Sequence, residues 1–277
     1  MKFFLFLFIT TFSWSQEFVI KNEPLPENTI YLTFDDGPGP MTEHLVSILE
    51  SRGVRATFFI NSYDTKATKE TIATSNRLLQ YKDLLLKEIA DGDVLGNHTF
   101  SHRDLAWLSP EQIKWQLEKN QQNLNEAIGP YTFTLMRPPF GSPWEGLGKV
   151  YTEEQVQKVS QILKDEKLIP INWNVDSSDS SDWVKGEGAR ASDPNTVDFE
   201  YTREFLKKSK REIERLWPKI QNKESLIILF HDTHPTSIDI LPGFIDYCLS
   251  LGYKFDTLDN YVKWRNNHED STLTAQR

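Results

Sequence analysis

One cysteine, Cys248, occurs in 277 residues. A single thiol cannot close an internal disulfide, so the fold has to be held by packing; set in an apolar helical pattern, Cys248 reads as core filler. Positive charge is in deficit: 31 Lys and Arg stand against 40 Asp and Glu, a net charge of −9. That balance argues against nucleic acid or an anionic membrane surface as the main partner, and leaves a neutral polymer or a cationic product open. No glycine-rich dinucleotide fingerprint follows the first strand-like run, which counts against a doubly wound cofactor-binding sheet. No internal repeat is present. The one extended apolar run, from Phe3 to Phe12, is too short to span a bilayer comfortably, and no cysteine follows it to carry a lipid anchor. Flanked by Lys2 and by Ser13-Trp14-Ser15, it reads as a signal peptide over residues 1–15 with cleavage before Gln16. The expectation is an exported chain (periplasm, cell envelope or secreted) without stable membrane insertion.

What is present suits a sizeable core: 38% apolar residues, eight tryptophans and seventeen phenylalanines. After a polar lead-in over 16–28, strand-like and helix-like patterns alternate. Strands are expected at 30–34, 56–61, 94–97, 134–137, 170–175, 226–230 and 254–257. Helices are expected at 42–52, 69–90, 110–128, 153–166, 205–217 and 242–251. Ser109-Pro110-Glu111-Gln112 is a helix start with Pro at the first position and Gln at the third. Seven strands alternating with helices imply a parallel sheet with right-handed crossovers, and the count and length favour a closed or nearly closed barrel. In such barrels the chemistry gathers at the strands' C-terminal ends. Segments 62–90 and 176–201 are long for simple connections, and 266–277 reads as a polar tail beyond a single domain over 29–265.

Chemistry-bearing residues do fall just after the expected strands. Thr33-Phe34-Asp35-Asp36-Gly37-Pro38 closes the first strand with two adjacent carboxylates. Side chains alternate along a strand, so neighbouring aspartates at its end diverge: one can bind a cation while the other stays free to take a proton. Gly37 allows a close approach to the backbone. His98 and His102 follow the third strand; at i and i+4 they would share one face of a helical turn and reach one metal ion. Two His plus one carboxylate, with remaining positions open to water or substrate, is a catalytic ligand set. Arg137-Pro138-Pro139-Phe140 ends the fourth strand. Arg137 can fork onto a carboxylate, and Phe140 supplies the first amide N–H after two prolines, as an oxyanion site requires. The run from Trp173 to Trp183 carries Asp176, Asp179 and Asp182, any of which could orient an imidazolium, and Trp183 offers a flat wall for a methyl group or a sugar ring. His231, with Asp232 behind it, ends the sixth strand and suits a general acid.

Taken together, these five motifs resemble the polysaccharide deacetylase family, also called the NodB-homology domain or carbohydrate esterase family 4. The resemblance runs from about residue 30 to residue 258. It implies a distorted (β/α)7 barrel and metal-dependent removal of N- or O-acetyl groups from carbohydrate polymers. Asp35 then resembles the catalytic base, and Asp36, His98 and His102 resemble the metal triad. Arg137 matches the residue that orients the base, Phe140 the backbone oxyanion donor, His231 the catalytic acid. The family's aspartate–tryptophan pair fits Asp182-Trp183 best, although the preceding Asp176-Ser-Ser-Asp179 leaves Asp179 or Asp176 as the tuning carboxylate. Phe230 stands where the family usually has leucine. The expected cofactor is a divalent metal, zinc foremost, with cobalt or another first-row ion also suited. The expected partner is an acetylated polysaccharide, and a monomer is compatible with the sequence. N-acetylated glycan such as peptidoglycan or a chitin-like polymer comes first as substrate. O-acetylated xylan and a catalytically silent carbohydrate-binding module are the alternatives.

Overall fold

The computed structural model describes residues 24–64, 66–177, 179, 219–220, 222, 224–233 and 235–275. The expected signal peptide, the expected helix at 205–217, Asp182 and Trp183 lie outside the described residues.

Among the described residues eight parallel strands form one sheet. They are β1 Thr29–Asp35, β2 Thr57–Ile60, β3 Val94–Asn97, β4 Leu135–Met136, β5 Ile169–Pro170, β6 Val175–Asp176, β7 Leu226–His231 and β8 Lys254–Phe255. The order is β5-β4-β3-β2-β1-β7-β6, with β8 joined to the start of β1. The helices are α1 Thr42–Glu50, α2 Lys82–Asp91, α3 Pro110–Ile128, α4 Glu153–Asp165, α5 Pro235–Ser250 and α6 Leu258–Ala275. This is the distorted (β/α)7 barrel expected from the sequence, in one domain. No helix among the described residues is long and apolar enough to cross a membrane.

The single strand expected at 170–175 is in fact two short ones on opposite edges of the sheet. The Ile171 N–H donates to Met136 O at 2.8 Å on the β4 side, and the Asn174 N–H donates to Ile227 O at 3.2 Å on the β7 side. The chain between them stitches the two edges together. Its carbonyls at Ile171 and Asn172 leave the ladder because the buried Arg137 guanidinium takes them, at 3.1 and 3.3 Å.

Alternation along β1 sorts its side chains. Ile30, Leu32 and Phe34 face the helices, where Phe34 stacks between Phe58 and Phe230 with centroids 5.2 and 5.9 Å away. Each such buried phenylalanine contributes on the order of 1.5–3 kcal/mol. Tyr31 packs on the opposite face with Phe59, Leu135 and Tyr261, and by the same alternation Thr33 and Asp35 share that face. The barrel interior therefore ends, at the C-terminal rim, in Asp35.

Two helices depart from expectation. α5 begins at Pro235 rather than at 242, with Pro242 inside it. The buried face of Ile238, Leu241, Phe244, Ile245 and Cys248 carries the helix through the proline. The single helix expected at 69–90 is broken into turns at Ile72–Thr74 and Arg77–Tyr81 before α2. Asn76, in extended conformation, accepts from Leu78 N at 3.1 Å and donates to Asn123 O of α3 at 2.9 Å, which stops a continuous helix. The capping box at Ser109 is as expected, and Thr152 forms a second.

Glu88 on α2 is fully buried and neither carboxylate oxygen has a hydrogen-bond partner. Burial pushes its pKa well above the ordinary 4.5, so the folded chain holds a proton that the unfolded chain releases above that pH. The proton-linked stability is complete below pH 4.5 and falls as pH rises towards the folded value, by about 1.4 kcal/mol per pH unit. Glu88→Met is expected to gain stability over the native chain, with the gain growing from pH 5 to pH 8 in denaturant titrations.

Candidate active site

The two aspartates at the end of β1 diverge as strand geometry requires. Asp35 is buried on the interior face, and Arg137 Nη1 donates to its Oδ1 at 2.9 Å and to Thr33 Oγ1 at 2.6 Å. Arg137 is itself fully buried, with its guanidinium 4.4 Å from the Phe59 ring centroid and 5.6 Å from that of Trp173. With its other bonds on Thr33, Ile171 O and Asn172 O, the guanidinium holds one carboxylate oxygen and leaves Asp35 Oδ2 3.9 Å from His98 Nε2.

Asp36, at φ 74°, turns the other way. Its Oδ1 lies 3.5 Å from His98 Nε2 and 3.4 Å from His102 Nε2. One ligand atom from each of Asp36, His98 and His102 falls within 4.8 Å of the others. The donor set fits a divalent cation in a further respect. His98 Nδ1 lies 2.7 Å from Arg137 O; a carbonyl only accepts, so Nδ1 carries the hydrogen and Nε2 faces the cluster with its lone pair when the ring is neutral. Burial, reinforced by His98, lowers His102 to about 4 and keeps it neutral. Burial opposes ionisation of Asp36, but the His98 contact outweighs it and holds the carboxyl well below its usual range. On His98 burial is likewise outweighed, by Asp35 and Asp36, and the pKa rises. A cation taken up here displaces a proton.

The histidines do not sit on a helical turn. Thr99 and His102 have φ of 67° and 53°, and residues 98–102 form an irregular loop. The loop is held by Thr99 N–H to Asn97 Oδ1 at 2.8 Å, Ser101 N–H to Gln116 Oε1 at 2.9 Å and His102 N–H to Thr99 Oγ1 at 3.1 Å. The ring centroids still come within 5.0 Å.

β1 and β7 pair in register with Asp35 opposite His231, which sets the candidate base and acid side by side on the rim. His231 Nδ1 is 2.7 Å from Asp179 Oδ1, and the His231 N–H donates to Asp179 Oδ2 at 2.7 Å. Among the described residues the carboxylate on His231 is thus Asp179, the alternative; Asp182 lies outside them. Ser177 N–H bonds Leu229 O at 3.1 Å and sets the loop after β6 against β7, which brings Asp179 first to the histidine. Burial works against the imidazolium, but Asp179 prevails and pushes His231 up to about 10. Asp232 does not back His231. It turns into the interior and accepts from Thr42 Oγ1 at 2.6 Å. A Cβ at residue 37 would collide with its carboxylate, so the close approach that requires Gly37 is made by Asp232.

Phe140 has φ 62° in a turn at Pro139–Gly141, and its exposed ring stands edge-on to His102 with centroids 4.8 Å apart. The ring contact was not anticipated beside the amide. Ser142, two residues on, bonds Asp104, which also accepts from Tyr151 OH at 2.7 Å; this ties the Phe140 loop to the histidine loop. Asn61, Arg77 and Asp104 were also not anticipated, because none stands in a spacing that announces chemistry.

The model of the family described as polysaccharide deacetylase matches residues 22–161. A peptidoglycan-N-acetylglucosamine deacetylase of Bacillus cereus is 25% identical over 236 residues, 82% of this chain and 76% of that protein. A chitin deacetylase of Pestalotiopsis sp is 36% identical over 115 residues, 42% of this chain, and the match spans about a third of that protein, 35%. BA3943 of Bacillus anthracis, a CE4 family pseudoenzyme, shares the fold with a TM-score of 0.62 at 20% identity, over 88% of this chain and 68% of that one.

Proposed function

The chain belongs to the polysaccharide deacetylase family, and from that premise we propose that it is an exported, zinc-dependent enzyme that hydrolyses N-acetyl groups of peptidoglycan. N-acetylglucosamine or N-acetylmuramic acid units would be the acetylated residues. The observation that carries the reading is a carboxylate, Asp35, clamped on one oxygen by a buried arginine and left open on the other, 3.9 Å from His98 of the Asp36–His98–His102 cluster. A metal store would have no use for Asp35, Arg137 and His231 in this arrangement. The pseudoenzyme with the same fold shows that fold alone does not carry activity, which is why the weight rests on those residues.

Asp36 Oδ1, His98 Nε2 and His102 Nε2 are the atoms that would hold the cation. Bound there, it supplies polarisation of the acetyl carbonyl and acidification of a water. Asp35 takes the proton of the water as oxygen adds to the carbonyl carbon; Arg137 keeps the carboxylate aimed. The Phe140 N–H donates to the developing oxyanion. His231, charged because Asp179 sits on Nδ1, gives its Nε2 proton to the departing nitrogen as the C–N bond breaks. Acetate and a free amino sugar result.

Acetate release from the chain starting at Gln16 tests the reading, with peptidoglycan, N-acetylated chitooligosaccharide and acetylxylan as substrates. Acetate from peptidoglycan, abolished by chelation and restored by zinc, is expected. Acetate from the oligosaccharide alone would move the substrate to a chitin-like glycan, and from acetylxylan alone to an O-acetyl esterase. None from any, with zinc bound, would leave a silent carbohydrate-binding module.

The acid has its own signature. His231 must be protonated to act, so activity falls as pH rises through its pKa, pushed up to about 10. Asp179→Asn removes the largest of the influences that oppose burial, leaving only the weaker Asp36 and Asp35, and the alkaline limb of kcat is expected to move down by about 1–3 pH units. An unmoved limb in Asp179→Asn, with a moved one in Asp182→Asn, would return the tuning role to Asp182.

A further inference from the structure

Asp36 occupies a left-handed conformation that is strained for a non-glycine residue, and something outside the motif has to hold it there. With φ at 74° the chain reverses, and the carbonyls of Asp36 and Gly37 are both taken by one side chain. Arg77 Nη2 donates to Asp36 O, to Gly37 O at 2.9 Å and to Asn61 Oδ1, while its Nε donates to Asn61 O at 3.2 Å. Asn61 Nδ2 in turn donates to Asp36 Oδ1 at 3.3 Å, and that oxygen is the one facing both histidines.

Arg77 is anchored from behind. Its N–H donates to Ser62 O at 2.9 Å, its guanidinium lies 5.7 Å from the Tyr63 ring centroid, and the neighbouring Asn76 is pinned to α3 through Asn123 O. Asp232, packed against Gly37, is the strongest of the anions acting on it. The broken helix at 69–90 thus has a consequence at the rim. The extended residue at 76 turns the guanidinium inward, beneath the loop that carries the candidate ligand.

We infer that Arg77 is a positioning residue for the metal site, setting the aim of Asp36 Oδ1 through the Asp36 and Gly37 carbonyls and through Asn61. The inference rests on the reading of Asp36, His98 and His102 as the ligands. Only a planar fork reaches carbonyls and a side-chain amide just past the ends of two strands at once; a lysine ammonium is a point donor and cannot span them.

The experiment compares the native chain with Arg77→Lys, Arg77→Gln, Asn61→Ala and, as a control, Arg52→Gln, whose partner Asp246 lies on the surface. Zinc affinity is read by chelator competition, the cobalt(II) adduct by its visible spectrum, and folding by the melting temperature of the metal-free protein. Arg77→Lys and Arg77→Gln are expected to bind zinc about 10- to 100-fold more weakly, with an altered cobalt spectrum. They should also show a lowered kcat, and KM for an acetylated oligosaccharide close to native. Asn61→Ala should shift in the same direction and Arg52→Gln should not shift. Native zinc affinity and an unaltered cobalt spectrum in folded Arg77→Lys would overturn the inference while leaving the metal site standing. Should Arg77→Lys and Arg77→Gln both fail to fold, an unshifted Asn61→Ala overturns it instead. A native chain that binds neither ion overturns the metal-site reading, and the inference with it.

Discussion

Asp35→Asn is expected to bind zinc as tightly as the native chain and to lose about 100- to 10,000-fold in kcat. Asparagine keeps the shape of the side chain and an oxygen that can accept from Arg137, so the ligand cluster beside it need not move. What disappears is the open carboxylate oxygen beside that cluster, 3.9 Å from His98 Nε2. The substitution also removes the counter-charge of a fully buried guanidinium. Breaking such a pair costs about 3–5 kcal/mol, tempered here by Thr33, the carbonyls of Ile171 and Asn172, and the Phe59 ring, all of which stay. A melting curve therefore belongs beside the kinetics. Native turnover in Asp35→Asn would remove the base assignment while leaving the metal site intact.

His98→Ala is expected to lose both zinc and activity. His98 is buried and uses both ring nitrogens, one on Arg137 O and one towards Asp36 and Asp35. Its removal strips one ligand from three and strands a buried carbonyl acceptor, a penalty of about 1–3 kcal/mol to the metal-free fold. His102, less buried and with no partner bond holding its second nitrogen among those described, is expected to weaken zinc binding with less loss of stability. The two variants therefore separate in thermal stability without metal, while both fail in acetate release.

The contrast between Asp35 and Asp36 was legible from sequence because alternation along a strand is a local rule, and an apolar run ending in two aspartates leaves no other way to place them. α3 was legible at its start, from the capping box at Ser109. The partner of His231 was not. Asp176, Asp179 and Asp182 are equivalent by composition, and the contact with Asp179 follows from which described residue after β6 meets β7, a register between segments some fifty positions apart. His98 and His102 came together by left-handed loop geometry and not by a helical turn, so the proximity that the spacing suggested has another cause. Arg77 carried no signal, since a lone arginine in a helix-like pattern reads as a solvated face until the break at Asn76 is seen.

Anomalous diffraction at the zinc edge, from crystals grown with the metal, tests the central claim most directly. The account predicts one peak at about 2.0–2.2 Å from Asp36 Oδ1, His98 Nε2 and His102 Nε2, with Asp35 outside bonding distance and still on Arg137. A peak elsewhere, or Asp35 as a ligand in place of Asp36, would contradict it.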